Sequence, residues 1–427
     1  MEIIELKKER AILVGVCLPK EDSKLKEKSL DELERLANTA DIDVVGRTVQ
    51  NRKGIDSATY VGKGFMESLQ LMAEELEADM LIFDNELSPS QGRNIEKIYK
   101  IQAIDRTEVI LEIFARHAKT KEAKLQVKLA QLKYQLPRLK KLWSHLDREG
   151  GGKASSSGAA TRGMGEKQIE IDKRIVKREI QKVEEQLEKI MKQHETQRKG
   201  RQNIKKVCLV GYTNAGKTTL FNAITGSDVY VEDQLFATLD STSRALELDK
   251  GKDIIISDTV GFISNLPHHL VASFRATLEE VIDADLLLHV TDVSDPMFEH
   301  YIKEVNFVLK EINAENIPQV SVFNKTDNFE NPKEALEELL IPKEEKQIFL
   351  SAKTGKNIDA LFKLLDDELY STNIHELLIP FTDSKFASEV YSLGNVLEKE
   401  YIEEGLRIKI EVNDEHKRKI DKFIKKD

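Results

Sequence analysis

The sequence predicts an α/β protein in which two regions of alternating strands and helices flank a helical middle. Short apolar runs alternate with helix-like periodicity in residues 1–115 and again in 201–370, which favours mostly parallel sheets in both regions. Leucines at heptad spacing in residues 116–200 predict paired helices instead. Residues 371–427 combine a helical segment at 389–397 with an alternating, strand-like segment at 406–412, so they predict a small α+β domain.

Composition excludes several classes of protein. The 427 residues suffice for about three domains, and 40% hydrophobic and 33% charged residues, with 9 Pro, exclude collagen-like, mucin-like and wholly disordered chains. No apolar run approaches the ~20 residues that cross a bilayer, and the first ten residues lack a signal peptide's apolar core. Cys17 and Cys208 are too few for a disulfide framework or a zinc site. We therefore expect a cytoplasmic protein without stable membrane insertion.

In residues 1–115 the apolar runs predict five strands. Ser29 and Glu32 match a capping box and predict that a helix begins there, because the two side chains can satisfy each other's backbone donors. Gly62, Lys63 and Gly64 form a strand-to-helix turn whose amides could hold an anion, although a plain connection is the commoner use of such a turn. The predicted strands are residues 11–16, 43–49, 59–61, 80–83 and 101–104.

Two heptad series in residues 116–200 predict helices that pack antiparallel as a coiled-coil-like hairpin. Pro137 should kink or end the first helix. Residues 148–162 are rich in Gly and Ser, which predicts a flexible connection that we place at 148–165. The apolar positions are Leu125, Leu129, Leu132, Leu136 and Leu139 in the first helix and Val176, Ile180, Val183, Leu187 and Ile190 in the second.

The middle region is basic although the whole chain is acidic. Residues 116–206 contain 25 Lys and Arg against 11 Asp and Glu, a local charge of +14, whereas the chain carries −10. Such a region suits contact with RNA phosphates, and a solvated helical surface is the alternative interpretation. Trp143 lies among cations and either stacks on a base or packs the end of the hairpin. The candidate RNA-contacting residues are Lys140, Lys141, Trp143, Arg148, Lys153 and Arg162.

Residues 211–218 match the pattern G-x-x-x-x-G-K-[ST] between an apolar strand and a helix. In such a loop backbone N–H groups surround phosphates, Lys217 contacts the β and γ oxygens, and the Thr218 hydroxyl ligates Mg²⁺. The loop therefore predicts a nucleotide site. Its residues are Gly211, Tyr212, Thr213, Asn214, Ala215, Gly216, Lys217 and Thr218.

Four further motifs occur in the same region in the order of a GTP-binding domain. Asp258 can hold Mg²⁺ through water, and the Gly261 amide can sense the γ-phosphate. Asp327 can accept two hydrogen bonds from guanine, where adenine offers no donor, and Ser351 can support the base from the other side. Thr238 can complete the Mg²⁺ coordination. The motif residues are Phe236, Ala237, Thr238, Leu239 and Asp240; Asp258, Thr259, Val260 and Gly261; Asn324, Lys325, Thr326 and Asp327; and Ser351, Ala352 and Lys353.

The predicted catalytic residues are Lys217, Thr238 and Gly261. Phe262 follows Gly261 at the position where Ras-like enzymes have a glutamine that orients the attacking water. Because an apolar ring cannot orient water, the sequence predicts GTP hydrolysis that is slow alone and accelerated by a partner or another element.

The motifs of residues 201–370 resemble those of translation-factor-like GTPases. Residues 163–174, Gly-Met-Gly-Glu-Lys-Gln-Ile-Glu-Ile-Asp-Lys-Arg, resemble the signature G-x-G-E-x-Q-x-E-x-D-[RK]-R of the HflX family. Residues 60–64, 83–91, 105–107 and 132–139 agree with the same family, so the likeness covers essentially the whole chain. Its departures are Met164 and Lys167, where Pro and Thr are usual, and a connecting loop richer in Ser.

The resemblance implies a P-loop GTPase that uses GTP, GDP and Mg²⁺ and associates with ribosomes. Family members bind the large ribosomal subunit, reach the peptidyl-transferase region with a loop, and split idle or stalled ribosomes under stress; some protect ribosomes against antibiotics. Asn214 also matches a position that helps to hold a K⁺ ion near the phosphates in several related GTPases. The alternative is that Asn214 only stabilises the loop. Weak ATP hydrolysis in the N-terminal part would have residues 62–64 as its candidate site.

Two other functions remain open from the sequence. The chain could be a ribosome-assembly or RNA-modification GTPase, or an RNA-binding protein that uses nucleotide only as a structural ligand. Stimulation of the GTPase by intact ribosomes favours the splitting factor, whereas RNA binding that ignores changes at Lys217 or Asp327 favours the structural role. We expect a monomer with no DNA partner.

Overall fold

The computed structural model divides the chain into two compact units. The first contains Met1–Arg244 and Ile255–Gly355, and the second contains Ala245–Ile254 and Lys356–Asp427. In the described residues, no helix combines the length and the apolar character needed to cross a membrane. The structure describes residues 8–19, 21–139, 160–198, 204–227, 236, 242–249, 252–264, 278–329, 346–370, 372–402, 404–413, 419–420 and 422–424.

The N-terminal part of the first unit is a four-stranded parallel sheet of order β2-β1-β3-β4. Alternate residues of β1 enter cores on opposite faces: Leu13 packs with the helix residues Leu33 and Ile110, and Ile12 packs with Met66 and Ile95. Burial on both faces explains why the strand is apolar throughout. The elements are β1 (Arg10–Cys17), α1 (Ser23–Thr39), β2 (Asp43–Asn51), α2 (Lys63–Glu75), β3 (Met80–Phe83), α3 (Pro89–Tyr99), β4 (Gln102–Asp105) and α4 (Arg106–His117).

Two local predictions in this region are wrong. Helix α1 begins at Ser23, with the Asp22 side chain accepting a hydrogen bond from the Lys24 amide at 2.9 Å, so Ser29 lies inside the helix and not at its start. The predicted strand at 59–61 is a turn, closed by two backbone hydrogen bonds between Asp56 and Tyr60. Its apolar residues are buried beneath α2 and α3 without joining a sheet ladder.

The middle region pairs two helices, α5 (Lys121–Gln135) and α6 (Ala160–Arg198). Eight of the ten predicted heptad side chains form one apolar cluster, which does not include Leu139 and Ile190, and two ion pairs flank it at 2.6 and 3.0 Å. Pro137 lies in the 3-10 turn Leu136–Arg138 that follows α5, so the helix ends where expected. The cluster residues are Leu125, Leu129, Leu132, Leu136, Val176, Ile180, Val183 and Leu187, and the pairs are Lys128–Glu179 and Lys133–Glu184.

The predicted connection is shorter than expected, because α6 already begins at Ala160. Residues 160–165, assigned to the loop from sequence, therefore form the first helical turns. Extension of an existing helix adds one hydrogen bond per residue and tolerates a glycine at about 1 kcal/mol, so Gly163 and Gly165 do not stop it. Lys140, Lys141, Trp143, Arg148 and Lys153 lie outside the described residues, and for Arg162 only the helical backbone is described.

The GTPase region has a six-stranded sheet of order β10-β9-β8-β5-β7-β6, with β5, β8, β9 and β10 paired in parallel. The apolar runs at 206–210, 254–257, 286–290, 320–323 and 347–350 predict five strands, and all five are present. The sequence made no prediction for β6. Parallel strands bring their carboxyl ends to one edge of the sheet, where the motifs follow. The elements are β5 (Lys205–Gly211), α7 (Lys217–Thr225), β6 (Thr242–Asp249), β7 (Lys252–Asp258), α8 (Glu279–Ile282), β8 (Leu286–Asp292), α9 (Phe298–Glu311), β9 (Gln319–Asn324) and β10 (Gln347–Phe349).

The second unit contains a three-stranded antiparallel sheet of order β11-β13-β12 over a small apolar core. The predicted strand at 406–412 is confirmed as β13, but the predicted helix at 389–397 is wrong: Val390–Ser392 form a 3-10 turn, and the segment from Gly394 onward belongs to β12. Pairing with β13 across the whole strand overrides the local helical pattern. The elements are α10 (Ile358–Tyr370), β11 (Thr372–Ile379), α11 (Ser384–Glu389), β12 (Gly394–Ile402) and β13 (Gly405–Asn413).

Candidate nucleotide site

The phosphate loop connects β5 to α7 and contains two residues in the left-handed region. Asn214 has φ 59° and Gly216 has φ 87°. A side chain at Gly216 would also collide with the amide of Asn324. The Thr213 hydroxyl is buried and has no hydrogen-bond partner among the described residues. The backbone therefore turns tightly here, and the Thr213 hydroxyl can donate a hydrogen bond to a ligand. Both features suit the binding of phosphate oxygens.

Lys217 is buried at the start of α7, with its ammonium inside the loop. Its Nζ donates to the carbonyl oxygens of Gly211 at 3.2 Å and Tyr212 at 2.8 Å. Burial lowers the pKa of Lys217 to about 8, although the negative charge of Asp258 acts in the opposite direction. An anion bound in the loop would stabilise the protonated form of Lys217 and raise its pKa again.

The two predicted magnesium residues of β7 and α7 lie together. Thr218 Oγ1 donates to Asp258 Oδ2 at 2.7 Å, and the Asp258 side chain is buried at the end of β7. Thr259 is fixed behind them, because its hydroxyl donates to the carbonyl of Leu209 at 2.6 Å. A hydroxyl and a carboxylate are hard oxygen ligands, which fits Mg²⁺ held together with phosphates and waters.

The base-recognition motifs meet beside the loop. Asn324 joins them, since its Nδ2 donates to Ala215 O at 3.0 Å and its Oδ1 accepts from the Ala352 amide at 2.9 Å. Ser351 Oγ donates to Asp327 Oδ1 at 2.6 Å, while Asp327 itself is exposed. The exposed carboxylate is thus held at a fixed position from which it can accept hydrogen bonds from a purine.

The remaining residues of these motifs take supporting positions. Lys325 adopts φ 63°, and its Nζ pairs with Asp292 at 2.7 Å. Thr326 is buried, whereas Lys353 is exposed. The structure therefore brings both predicted base motifs to the edge of the sheet that carries the phosphate loop.

The segment after Asp258 lies directly on the phosphate loop. The Phe262 amide donates to Gly211 O at 3.0 Å, and the Thr213 amide donates to Phe262 O at 2.7 Å. A Cβ at Gly261 would lie 3.0 Å from Lys217 Nζ, so only glycine fits against the ammonium. Val260 is half-buried and Phe262 is buried, and the apolar ring of Phe262 cannot orient a water molecule.

Phe236 is the one described residue of the Thr238 motif. It adopts φ 60° and is buried, with its ring 4.6 Å from the ring of Phe114 on α4 in an edge-to-face arrangement. Ala237, Thr238, Leu239 and Asp240 lie outside the described residues, so their predicted roles stay predictions. No sequence signal pointed from Phe236 to the N-terminal part.

The predicted anion turn in the N-terminal part is already satisfied from within. The Gly62 amide donates to the Gln50 side chain at 3.0 Å, and the exposed Lys63 lies 4.0 Å from Glu67. In the described residues, no group of three His, Cys, Asp or Glu side chains could hold a metal ion. The phosphate loop is therefore the stronger anion site of the two.

A six-stranded, mostly parallel sheet, a glycine-turned phosphate loop with a buried lysine, and an exposed aspartate at the base motif together define a P-loop GTPase. Three family models match successive parts of the chain: the GTP-binding GTPase N-terminal region at residues 27–115, the GTP-binding GTPase middle region at 117–201, and the 50S ribosome-binding GTPase at 206–325.

Comparison with known proteins identifies the family. The GTPase HflX of Caldanaerobacter subterraneus subsp. tengcongensis is 43% identical over 427 residues, 99% of this chain and 96% of that protein. The GTPase HflX of Escherichia coli K12 is 39% identical over 409 residues, 95% and 93% of the two chains. A solved GTP-binding protein from the archaeon Sulfolobus solfataricus in complex with GDP is 26% identical, with TM-score 0.42, and covers 85% and 97%. The chain belongs to the HflX family of ribosome-binding GTPases and is a GTP hydrolase.

Proposed function

We propose that this protein binds the large ribosomal subunit and uses GTP to dissociate idle or stalled ribosomes under stress, including ribosomes stalled by antibiotics. The observation that carries the proposal is the combination, in one chain, of a GTPase site with a helical region of charge +14 at residues 116–206. The match of residues 206–325 to ribosome-binding GTPases supports the large subunit as the partner.

The site residues divide into a phosphate group and a base group. In the phosphate group, the amides of residues 211–218 and the ammonium of Lys217 hold the β- and γ-phosphates. In the base group, Asp327 accepts hydrogen bonds from guanine, and Asn324 links the base motif to the loop through its contacts with Ala215 and Ala352. The fixed Ser351–Asp327 contact supports this assignment of guanine.

The donor set favours Mg²⁺ beside the phosphates. Thr218 and Thr238 would ligate the ion directly and Asp258 through water, because Mg²⁺ keeps several waters and is held by few protein oxygens. The bound ion would neutralise charge that develops on the phosphates during hydrolysis. We place a K⁺ ion at Asn214, whose left-handed backbone turns the loop at that point.

Hydrolysis depends on the partner in this proposal. The buried ring of Phe262 replaces a water-orienting glutamine, so the isolated protein positions the phosphates without positioning the nucleophile. Ribosome binding would then position the attacking water. The basic helices would contact rRNA phosphates, and the connection near residues 148–159 would reach the peptidyl-transferase region. The protein would then act as a cytoplasmic monomer on ribosomes.

Sedimentation of purified ribosomes tests the proposal. With GTP, the wild-type protein should lower the 70S peak and raise the subunit peaks, and with a non-hydrolysable analogue it should migrate with the large subunit. With GDP both effects should be weak. Intact 70S ribosomes under all three conditions would overturn the splitting function, and binding confined to immature particles would favour an assembly factor.

Asp327→Asn supplies the control for the nucleotide. The variant should bind GTP about 100-fold more weakly and xanthosine triphosphate more tightly, because two charge-assisted hydrogen bonds to the purine are lost and an amide donor is introduced. Splitting should then respond to xanthosine triphosphate and not to GTP. An unchanged GTP affinity in a titration would contradict the assignment of guanine.

A further inference from the structure

A chain of buried charges runs through the carboxyl edge of the N-terminal sheet. Asp84, at the end of β3, accepts hydrogen bonds from Lys26 Nζ at 3.0 Å, Ser29 Oγ at 2.8 Å and Arg106 Nη1 at 3.0 Å. Arg106 is 2% exposed, and its second amino group binds the Glu32 carboxylate. Burial opposes the charge of Arg106, but Glu32 and Asp84 raise its pKa above the ordinary value. The network therefore presents Glu32 as a fixed carboxylate on α1.

Glu32 connects this network of charges to the phosphate loop. The hydroxyl of Tyr212, the second residue of the loop, donates to Glu32 Oε1 at 2.6 Å. The Ser264 amide donates to the same phenolic oxygen at 2.6 Å, and Ser264 Oγ lies 2.6 Å from it. Burial and the charge of Glu32 raise the pKa of Tyr212 well above its usual value, so the phenol remains a donor. One hydroxyl thus joins the N-terminal helix, the loop and the segment after Gly261.

Tyr212 holds the segment that contains Gly261, and Gly261 lies against the loop lysine. A Cβ built on Gly261 would lie 3.0 Å from Lys217 Nζ and 2.8 Å from Thr213 Cα. The γ-phosphate of a bound triphosphate must contact both the lysine and the Gly261 amide. A triphosphate would therefore require Gly261 to move away from the ammonium, whereas a diphosphate, which has no γ-phosphate, would not.

Phe236 provides a second contact between the nucleotide-binding region and the N-terminal part. Its ring belongs to a continuous apolar cluster with Phe114 and Ile110 of the N-terminal part and with Phe262. Phe236, two positions before Thr238, is therefore held by α4 of the N-terminal part. The segment of Gly261 is held by the same N-terminal part through Glu32 and Tyr212.

We infer that Glu32, acting through Tyr212, is a positioning residue that sets the preference of the site for GDP over GTP. The Glu32–Tyr212–Ser264 contact stabilises the diphosphate arrangement, and triphosphate binding requires its release. A ligand shifts such an equilibrium only by its differential affinity for the two arrangements, so the free energy of this contact appears directly in the ratio of the two affinities. The inference rests on the proposed guanine-nucleotide site.

Nucleotide titrations on the full chain test the inference. Tyr212→Phe removes one hydroxyl and leaves the N-terminal charge network intact. The ratio of its affinity for a non-hydrolysable GTP analogue to its affinity for GDP should rise about fivefold or more above the wild-type ratio, a size typical of coupling between sites. Glu32→Gln should change the affinity ratio in the same direction. The double variant should change it no further than Tyr212→Phe alone, because both substitutions remove one contact.

Two control variants separate positioning from general disturbance. Tyr301→Phe removes a hydroxyl from the ring stacked on Tyr212 at 4.0 Å, and Asp31→Asn removes a carboxylate next to Glu32 that pairs with Arg47 at 2.8 Å. Both should keep the wild-type ratio. An unchanged ratio in Tyr212→Phe, or a parallel loss of both nucleotides, would overturn the inference. Failure to split ribosomes with the ratio shifted as expected would count against the proposed function alone.

Discussion

The two parallel sheets of the first unit place charged residues at their carboxyl edges in opposite ways. In the N-terminal sheet the charges satisfy one another: Asp84 accepts from Lys26 and Arg106, and Asp105 lies 3.5 Å from Arg138. In the GTPase region the ammonium of the buried Lys217 donates to uncharged carbonyl oxygens of the loop. A buried charge that is neutralised by an opposite charge of the chain is structural, whereas one that is held by uncharged carbonyls can still bind an anion from outside.

The largest expected effect comes from removing the positive charge of Lys217 in the GTPase region. Lys217→Ala should lower ribosome-stimulated GTP hydrolysis by about 10³-fold, because it removes the cation that stabilises charge on the transferred phosphoryl group. Steady-state phosphate release on purified ribosomes measures the effect. Lys206→Ala, near the start of the strand β5 that leads into the phosphate loop, is the matched control and should retain activity. Surviving turnover in Lys217→Ala would mean that hydrolysis takes place elsewhere.

The N-terminal charge should affect folding more than turnover. Arg106→Met should lower the free energy of unfolding by about 3–5 kcal/mol, because the buried carboxylates of Asp84 and Glu32 lose a shared partner. Denaturant unfolding of the purified protein measures the loss. Arg47→Met, which breaks an exposed ion pair with Asp31, should leave the midpoint nearly unchanged. Equal unfolding midpoints for the two variants would contradict a structural role for the buried charges of the N-terminal sheet.

The smallest effect concerns His289, buried on β8 of the GTPase sheet. Burial, and beside it the charge of Lys217, lowers its pKa to about 4, so the native protein holds it neutral. Between about pH 6.5 and 4 the unfolded chain binds a proton that the native state refuses, so stability falls as pH falls. From pH 6.5 to 5 the wild type should lose about 2 kcal/mol more than His289→Gln.

Parallel pH series of denaturant melts measure this difference. His300→Gln on α9 is the matched control and should follow the wild type. If His289→Gln loses stability as steeply as the wild type does, His289 is not the group that titrates.

Contiguous patterns predicted most of the GTPase region. The phosphate loop, the Asp258 motif and the Asn324 and Ser351 motifs each lie within a few residues, so spacing alone placed them at strand ends. Ser29 and Glu32 show the limit of this approach. They match a local capping box, yet their partners are Asp84 and Tyr212, 55 and 180 residues away.

Long-range packing explains the other failures as well. The pattern of residues 389–397 predicts a helix, but from Gly394 onward the chain pairs with β13 instead, and the segment at 59–61 has a strand pattern although it packs under helices. The contact of Phe236 with Phe114 joins residues far apart in sequence. Periodicity reports which face of an element is apolar, and it does not report which distant surface covers that face.

Helix α6 has a mechanical consequence that follows from its length. Its 39 residues make a rod about 58 Å long, whereas its partner α5 extends over only about 22 Å. The rod ends at Arg198, shortly before the strand that leads into the phosphate loop. A tilt of about 5° around that end displaces the Ala160 end by about 5 Å. A small tilt at the GTPase end of the helix would therefore move the far end by more than the rise of one base pair, about 3.4 Å.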